Sequence, residues 1–398
     1  MTPDPFIKQY LMTAGPTPLP PRVLSVMAEP VLYHRAPAFD ALFARVLDRL
    51  PLVFGTTNDV IVLTASGTGA MESAVANLAR PGEPILACSA GKFGERWIEL
   101  GDAYGAEVVR YEPGWGRQLD PDEIEALLAA RPEIDCVFAT LSETSTGVVH
   151  DVQTIAEVAR AHDAMLVVDA VSGAGAAELR QDEWGVDVVV GGSQKALMAP
   201  PGLGFVSASQ RALDFAAEHA GPASPRYYFD WNRAIVEQRK SSPATPFTPA
   251  VTLVSALDVA LDLILEEGLE RMLARHDLLA RATRAGARAL DLDLFGEPDE
   301  RSTVVTAIEL PPTIDGVKVP GLLRERGITA NGGQGPLKGR ILRIAHCGYF
   351  GAFDIVVSLA GLEQVLLELG HDVELGAGVG AAQRVFTQAG ASVAPPPA

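Results

Sequence analysis

The sequence predicts an α/β protein with a large domain, built on a mostly parallel sheet of the seven-stranded type covered by helices, and a smaller α+β C-terminal domain. Its 398 residues exceed one ordinary domain and suit a large domain followed by a smaller one. From residue 59 onward, short apolar runs alternate with helix-like stretches, which is typical of βαβ units. After residue 249 this alternation gives way to a helical and then a mixed pattern.

The strand candidates of the large domain are short apolar runs at 60–63, 84–88, 107–111, 134–139, 165–170, 186–190 and 204–207. Helical patterns fall between several of them, at 70–78, 121–130 and 152–161. One long helical stretch then covers 250 to about 290, and further strands are predicted at 303–310 and 340–344. We predict an extended N-terminal segment, two domains and a flexible tail at 1–20, 21–265, 266–385 and 386–398.

Charge and cysteine content exclude several classes of protein. The net charge is −18, from 32 basic and 50 acidic residues, which argues against nucleic-acid binding. The apolar runs are too short to span a membrane, and no leader-like pattern opens the sequence. Three scattered cysteines and the histidine spacing predict neither a disulfide framework nor a metal site. We therefore expect a cytoplasmic protein with small-molecule substrates.

The segment TASGTGAME at 64–72 predicts a phosphate site at a strand-to-helix junction. Gly67 and Gly69 would expose main-chain N–H groups at a helix N-terminus, where the helix dipole favours an anion. The segment lacks the P-loop lysine, and Glu72 occupies the last glycine position of the dinucleotide fingerprint. A phosphate is thus expected here without a nucleotide.

Two polar residues follow predicted strands at the edge where ligands of α/β sheets bind. Asp169 ends the run at 165–170, where a carboxylate can keep a pyridinium nitrogen protonated; it could equally bind a metal or cap a helix. Lys195 follows the run at 186–190 and two glycines. Desolvation would lower its pKa and make it a better Schiff-base nucleophile, whereas the alternative is a solvated loop lysine. The interval between them allows one strand, so neighbouring strand ends are expected.

Arg343 lies within the predicted strand at 340–344, among apolar neighbours. A half-buried guanidinium needs an anionic partner, and its planar fork suits a carboxylate. The alternative is a structural ion pair. The phosphate segment, Asp169, Lys195 and Arg343 in this chain order form a combination more specific than any one of them.

Seven motifs extend a resemblance over most of the chain: GPTPLPP, SGTGAME, SETSTGV, VVDAVS, GSQKALMAPPG, TPFTPAV and ILRI. They resemble the class V aminotransferases of fold type I, which use pyridoxal 5′-phosphate (PLP), and within them the alanine–glyoxylate, serine–pyruvate and serine–glyoxylate enzymes. Two positions depart from the family. Phe93 replaces a stacking tryptophan of many relatives, and Ala70 replaces a polar residue near the phosphate.

The resemblance implies a role for each matching residue. Lys195 would be the Schiff-base lysine and Asp169 the partner of the pyridinium nitrogen. The other cofactor contacts would come from Gln194, Gly67, Thr68 and Gly69 at the phosphate, Phe93 against the ring, Thr144 near the ring oxygen, and Thr248 from a neighbouring subunit. The active unit would therefore be a homodimer. Arg343 would bind the substrate carboxylate, and Gly15 would line the substrate pocket.

The implied reaction moves an amino group from alanine or serine to glyoxylate or pyruvate, by a ping-pong mechanism through Lys195. Other donors stay open, namely aspartate, ureidoglycine or a pyridoxamine-type amine. A lyase or desulfurase, a non-catalytic partner subunit and a nicotinamide dehydrogenase are the further alternatives. The desulfurase is disfavoured because Gln194 replaces the usual histidine and no cysteine lies between Cys136 and Arg343.

Overall fold

The computed structural model describes residues 6–221, 226–296 and 302–390, and strands alternate with helices through most of its first half. The elements begin with β1 (Tyr10–Leu11), α1 (Pro21–Val26), α2 (Pro37–Phe54), β2 (Val60–Leu63), α3 (Gly67–Leu78), β3 (Pro84–Cys88), α4 (Lys92–Ala103), β4 (Glu107–Tyr111), α5 (Pro121–Ala130) and β5 (Cys136–Thr140). They continue with β6 (Ser142–Glu143), β7 (Val148–Val149), α6 (Val152–Ala161), β8 (Met165–Asp169), α7 (Gln181–Trp184), β9 (Val188–Gly192), β10 (Gly204–Ala208), α8 (Gln210–Glu218) and α9 (Trp231–Gln238).

The C-terminal part begins with two consecutive helices. Its elements are α10 (Val251–Glu267), α11 (Leu269–Arg288), β11 (Val305–Glu309), α12 (Val319–Glu325), β12 (Ile328–Thr329), β13 (Asn331–Gly332), a 3₁₀ turn (Gly335–Leu337), β14 (Ile341–Ala345), α13 (Ala352–Glu368) and α14 (Ala377–Ala389). None of the helices in the described ranges is long and apolar enough to cross a membrane.

A seven-stranded sheet in the order β2-β10-β9-β8-β5-β3-β4 organises the large part of the chain. Its neighbours are parallel from β9 to β4, and β10 runs antiparallel to both β9 and β2. Alternate residues of β8 enter opposite cores: Leu166 and Val168 pack in one hydrophobic cluster, and Val167 packs in the other. Both faces of the sheet are therefore covered, which explains why its strands are continuous apolar runs. The predicted mostly parallel α/β fold is confirmed.

The C-terminal part contains a three-stranded antiparallel sheet in the order β11-β14-β13. Its helices α11, α13 and α14 pack against one another, and α11 also packs against β11. The N-terminal segment joins this part, because β1 pairs in parallel with β12. Tyr10 and Ile328, which are 318 positions apart in the sequence, are thereby held together.

Some predicted boundaries differ from the structure. The single helix predicted over 250–290 is wrong, because Gly268 adopts a φ of +84° and separates α10 from α11. The helix predicted at 70–78 begins earlier, at Gly67 after the capping Ser66, and β9 extends through both glycines that the pattern placed after it. Helix α14 covers 386–389 of the predicted tail, whereas 391–398 and 1–5 lie outside the described residues. The domain boundaries stay predictions.

Candidate active site

Lys195 lies in the loop that follows β9, and its side chain is only 8% exposed. Its Nζ donates a hydrogen bond to the carbonyl oxygen of Ala14. Burial lowers the pKa of Lys195 below the ordinary lysine value, although Cys347 and Asp169 act in the opposite direction. The amine is therefore neither a solvated loop lysine nor part of a salt bridge among the described residues. This environment favours a nucleophilic amine.

Residues 12–17, here called the N-terminal arm, cover Lys195. The main-chain N–H of Thr17 donates to the Gln194 carbonyl at 3.1 Å, and its hydroxyl donates to the Lys195 carbonyl at 2.9 Å. Gly15 has a φ of +123°, and a Cβ atom built there would lie 2.5 Å from Lys195 Nζ. Only glycine permits so close an approach at this backbone conformation. The predicted pocket residue Gly15 thus directly contacts the predicted catalytic lysine.

Asp169 ends β8, which is the parallel neighbour of β9, so the expected adjacency of the Asp169 and Lys195 strands is confirmed. Its carboxylate accepts a hydrogen bond from the Val171 N–H at 2.8 Å and caps none of the described helices. Burial raises the pKa of Asp169 to about 6, the Val171 N–H and the Arg96 and Lys195 charges oppose this rise, and Glu143 adds to it. A carboxylate buried in this way needs a nearby positive group to remain ionised.

The three predicted phosphate residues Gly67, Thr68 and Gly69 form the first turn of α3. Ser66 caps this helix through a hydrogen bond from the Gly69 N–H to its hydroxyl, 3.3 Å long. The two glycines remove side chains from the helix N-terminus and leave main-chain N–H groups and the Thr68 hydroxyl there. An N-terminus of this kind is suited to an anion.

Val171 connects this helix end with the lysine loop. A Cβ atom on Gly67 would lie 2.7 Å from the Val171 side chain. On the other side, a Cβ atom on Gly192 would lie 3.1 Å from Val171 Cγ1 and 3.0 Å from Gln194 Oε1. The start of α3 and the segment that holds Gln194 thus approach the same side chain, Val171.

Two side-chain oxygens of the predicted site residues are buried without a hydrogen-bond partner among the described residues, namely Gln194 Oε1 and Thr144 Oγ1. Buried polar atoms are normally hydrogen-bonded, so these two are available to a polar ligand. The Thr144 hydroxyl can donate or accept, and a half-turn of the Gln194 amide would present its NH₂ group to a phosphate. The residues present thus fit a phosphorylated cofactor such as PLP.

Phe93 is the second residue of α4, and its ring centroid lies 5.9 Å from Lys195 Nζ.

Glu143, which the sequence motifs did not single out, binds the N-terminus of α4. Its carboxylate accepts hydrogen bonds from the N–H groups of Phe93 at 3.0 Å and Gly94 at 2.9 Å. It also accepts from the Ser145 N–H and hydroxyl, at 3.0 and 2.5 Å. Burial raises the pKa of Glu143, and these donors counteract that rise. The available signal was an acidic residue three positions after the apolar strand β5.

Arg343 lies in the middle of β14 and is 5% exposed. Its Nε and Nη2 donate to the Gly332 carbonyl at 3.1 and 2.9 Å, and its Nη1 donates to the Thr144 carbonyl at 2.8 Å. Burial lowers its pKa to about 10. In the described ranges no carboxylate lies within 4.0 Å of this guanidinium, so a structural ion pair does not explain it. Its remaining N–H groups can bind an anion from outside the chain.

Thr248 is the predicted site residue that this chain does not bring to Lys195. It is exposed in the loop before α10, in a small pocket that also includes Thr64, Tyr228 and Phe247. The loop is anchored by a hydrogen bond from the Ala250 N–H to the Thr64 hydroxyl, 3.1 Å long. A contact from Thr248 to a neighbouring subunit stays a prediction.

Comparisons with known proteins agree with this arrangement. Residues 9–338 match the family model of the class-V aminotransferases. A relative from Anabaena cylindrica, named soluble hydrogenase 42 kDa subunit, is 41% identical and covers 96% of this chain and 99% of its own. A serine–glyoxylate aminotransferase from Methylorubrum extorquens is 36% identical over 94% and 95% of the two chains.

Among solved structures, ureidoglycine–glyoxylate aminotransferase from Bacillus subtilis superposes with a TM-score of 0.91. That protein is 34% identical, and the match covers 95% of this chain and 98% of the other. The sheet order, the buried lysine beside Asp169 and the extent of these matches lead to one conclusion. The chain belongs to the class V aminotransferases, a PLP-dependent family of transferases.

Proposed function

We propose that this aminotransferase moves the amino group of L-alanine or L-serine to glyoxylate or pyruvate, in two half-reactions of a ping-pong mechanism at Lys195. The observation that carries the proposal is the buried Lys195 amine, which lies near the buried Asp169 carboxylate and the unpaired Arg343 guanidinium. The serine–glyoxylate relative supports the choice of substrates. Because another relative acts on ureidoglycine, and the resemblance leaves aspartate and pyridoxamine-type amines open, these donors belong in the same test.

PLP would be held by Lys195, Asp169, Gln194, Phe93, Thr144 and the first turn of α3. When bound, it supplies an electron sink for the negative charge that develops at the substrate Cα. Lys195 would attach it covalently, and the Asp169 carboxylate would keep its ring nitrogen protonated. Gly67, Thr68, Gly69 and Gln194 would hold its phosphate.

The chain's own groups would then perform the proton transfer. The Lys195 amine acts as the general base that removes the proton from the substrate Cα, because its lowered pKa leaves more of it unprotonated. The Ala14 carbonyl holds one amine hydrogen and thereby orients the lone pair. Arg343 binds the substrate carboxylate and places Cα within reach of that amine.

A homodimer in the cytoplasm is part of the proposal. Thr248 is exposed on this chain, as expected of a residue that completes the partner's site. The exposed apolar side chains Leu24, Val31 and Tyr33 lie in the segment around α1 and would be covered by a second copy. Cys88, Cys136 and Cys347 are buried and unpaired, which suits a reducing compartment.

The experiment is an absorption spectrum of the purified protein in the near ultraviolet and visible range, before and after adding each amino donor. A visible band that gives way to a near-ultraviolet band identifies the donor. Lys195→Ala should lack the visible band and lose activity by about 1,000-fold or more, whereas Lys318→Ala, at an exposed lysine, should behave as wild type. Full turnover in Lys195→Ala would contradict the mechanism.

A non-catalytic role as a partner subunit is the second candidate, because the relative at 41% identity is named as a hydrogenase subunit. Binding alone does not require a buried lysine, aspartate and unpaired arginine together. A protein that stays colourless after incubation with PLP would favour this role.

A further inference from the structure

Asn331 and Lys195 bind opposite ends of the same residue of the N-terminal arm. The N–H of Ala14 donates to Asn331 Oδ1 at 3.2 Å, and the carbonyl of Ala14 accepts from Lys195 Nζ. The asparagine lies 317 positions after Ala14 in the sequence, in β13. A displacement of the Asn331 side chain would therefore be transmitted to the lysine amine through the backbone of one residue, Ala14.

Asn331 also lies directly beside Arg343. The two residues are paired in the antiparallel ladder of β13 and β14, so their side chains project from the same face of the sheet. The next residue, Gly332, supplies the carbonyl that accepts from both Nε and Nη2 of Arg343. This two-residue strand thus contacts the arm at one position and the guanidinium at the next.

The orientation of the Asn331 amide follows from its partner. A main-chain N–H can only donate, so the amide oxygen must face Ala14 and the NH₂ group must face away. In the described ranges this NH₂ group has no hydrogen-bond partner. Aspartate, which has the same length as asparagine, could also accept from the Ala14 N–H. Alanine has no acceptor, and the hydroxyl of serine is too short to reach this N–H.

We propose that Asn331 is a positioning residue that sets the location of the Lys195 amine relative to the Arg343 guanidinium. The inference rests on the proposed roles of these two residues. An α-amino acid carries its carboxylate on the carbon whose proton is removed. The distance between the Lys195 amine, which removes the proton, and the Arg343 guanidinium, which binds the carboxylate, must therefore stay fixed. Asn331 holds Ala14 at β13, the strand paired with the one that carries Arg343, and Ala14 in turn binds the Lys195 amine. This arrangement favours small α-amino acids over amines without a carboxylate.

The first test measures the Lys195 amine without turnover. Full-length protein freed of PLP is acetylated with acetic anhydride over a pH series, and modification of the Lys195 peptide is measured by mass spectrometry. In Asn331→Ala the Ala14 segment loses its anchor on β13 and water can reach the amine, so the burial that lowers the Lys195 pKa weakens and the midpoint should rise by about 0.5 to 1 pH unit. Gln334→Ala is the matched control, because Gln334 is exposed two residues after β13 and its replacement should leave the midpoint unchanged.

Steady-state kinetics provide the second test. Asn331→Ala should lower kcat for the amino donor about 10-fold with little change in KM, since the carboxylate anchor is intact. Asn331→Asp keeps the acceptor and should restore kcat, but it should raise KM because its carboxylate competes for Arg343. Asn331→Ala should thus change mainly kcat and Asn331→Asp mainly KM. A general loss of stability would not produce this difference between the two variants.

The outcomes separate this inference from the proposed function. If wild-type protein binds no PLP through Lys195, the proposed function fails. If wild type binds PLP but Asn331→Ala matches Gln334→Ala in both tests, Asn331 does not position the amine and the inference is overturned. Should Asn331→Ala fail to fold, Asn331→Ser replaces it, because a serine hydroxyl is too short to reach the Ala14 N–H.

Discussion

The Lys195 amine donates a hydrogen bond to the carbonyl of Ala14, although the two residues are 181 positions apart. This contact depends on the next residue, Gly15, whose missing side chain leaves room for the lysine. The N-terminal arm is therefore part of the surroundings of the proposed catalytic lysine, and a change within it should alter the reactivity of Lys195.

Gly15→Ala should impair covalent attachment of PLP. The new methyl group would lie 2.5 Å from Lys195 Nζ, and its residue would have to keep a φ of +123°. Because a displacement of about 1 Å can reduce turnover about 100-fold, we expect at least this loss, with a weaker visible absorption band. Gly321→Ala is the control, since a Cβ atom there meets no atom within 4 Å. Equal spectra for the two variants would contradict the close contact.

Arg343→Lys should weaken substrate binding more than it slows turnover. Lysine keeps a positive charge but loses the planar fork, and it cannot donate to Gly332 and Thr144 while binding a carboxylate in two places. We expect KM for the amino donor to rise about 10- to 100-fold. Arg340→Lys, at an exposed residue just before β14, should leave KM unchanged. An unaltered KM in Arg343→Lys would assign the carboxylate to another group.

Asp169→Asn should change stability and activity in opposite directions. The carboxyl has a pKa of about 6 in the folded protein, above its ordinary value near 4, so its contribution to stability is lost as the pH rises through about 6. Without PLP, we therefore compare the free energy of unfolding of the variant with that of wild type at two pH values. The difference in favour of the variant should be up to about 3 kcal/mol larger near pH 7.5 than near pH 4.

Urea unfolding at the two pH values measures this difference. With PLP bound, the same variant should lose about 100-fold or more in activity, because the amide carries no charge to keep the ring nitrogen protonated. Wild-type activity in Asp169→Asn would contradict the assigned role. A pH-independent difference in stability would contradict the raised pKa.

Glu143→Gln should destabilise the protein and disturb Phe93. Both carboxylate oxygens of Glu143 accept hydrogen bonds, whereas an amide offers one oxygen and would turn its NH₂ group toward buried donors. We expect a loss of about 1–3 kcal/mol in the free energy of unfolding, with a shifted cofactor absorption band. Glu99→Gln, on the exposed face of α4, is the control and should change neither. A variant indistinguishable from this control would show that α4 does not need the carboxylate.

Local patterns in the sequence were sufficient for the fold class and for the residues that follow the strands. The runs that became β2 and β3 were predicted to the residue, because a buried strand between turns has a composition and length of its own. Asp169 and Lys195 were identifiable because a polar residue at the end of an apolar strand is conspicuous. The break between α10 and α11 was missed, since helical periodicity continues on both sides of Gly268.

The sequence by itself determined the α/β fold and the family resemblance, and it predicted Lys195, Asp169 and Arg343 as site residues. Only the tertiary structure decided which main-chain groups surround them: the Ala14 carbonyl at Lys195, the Asn331 amide at Ala14, and the Glu143 carboxylate at Phe93. These contacts join residues that are distant in the chain through main-chain N–H and carbonyl groups, which every residue type carries. Such partners leave no signature in composition or spacing, because strand register and packing select them once the chain has folded.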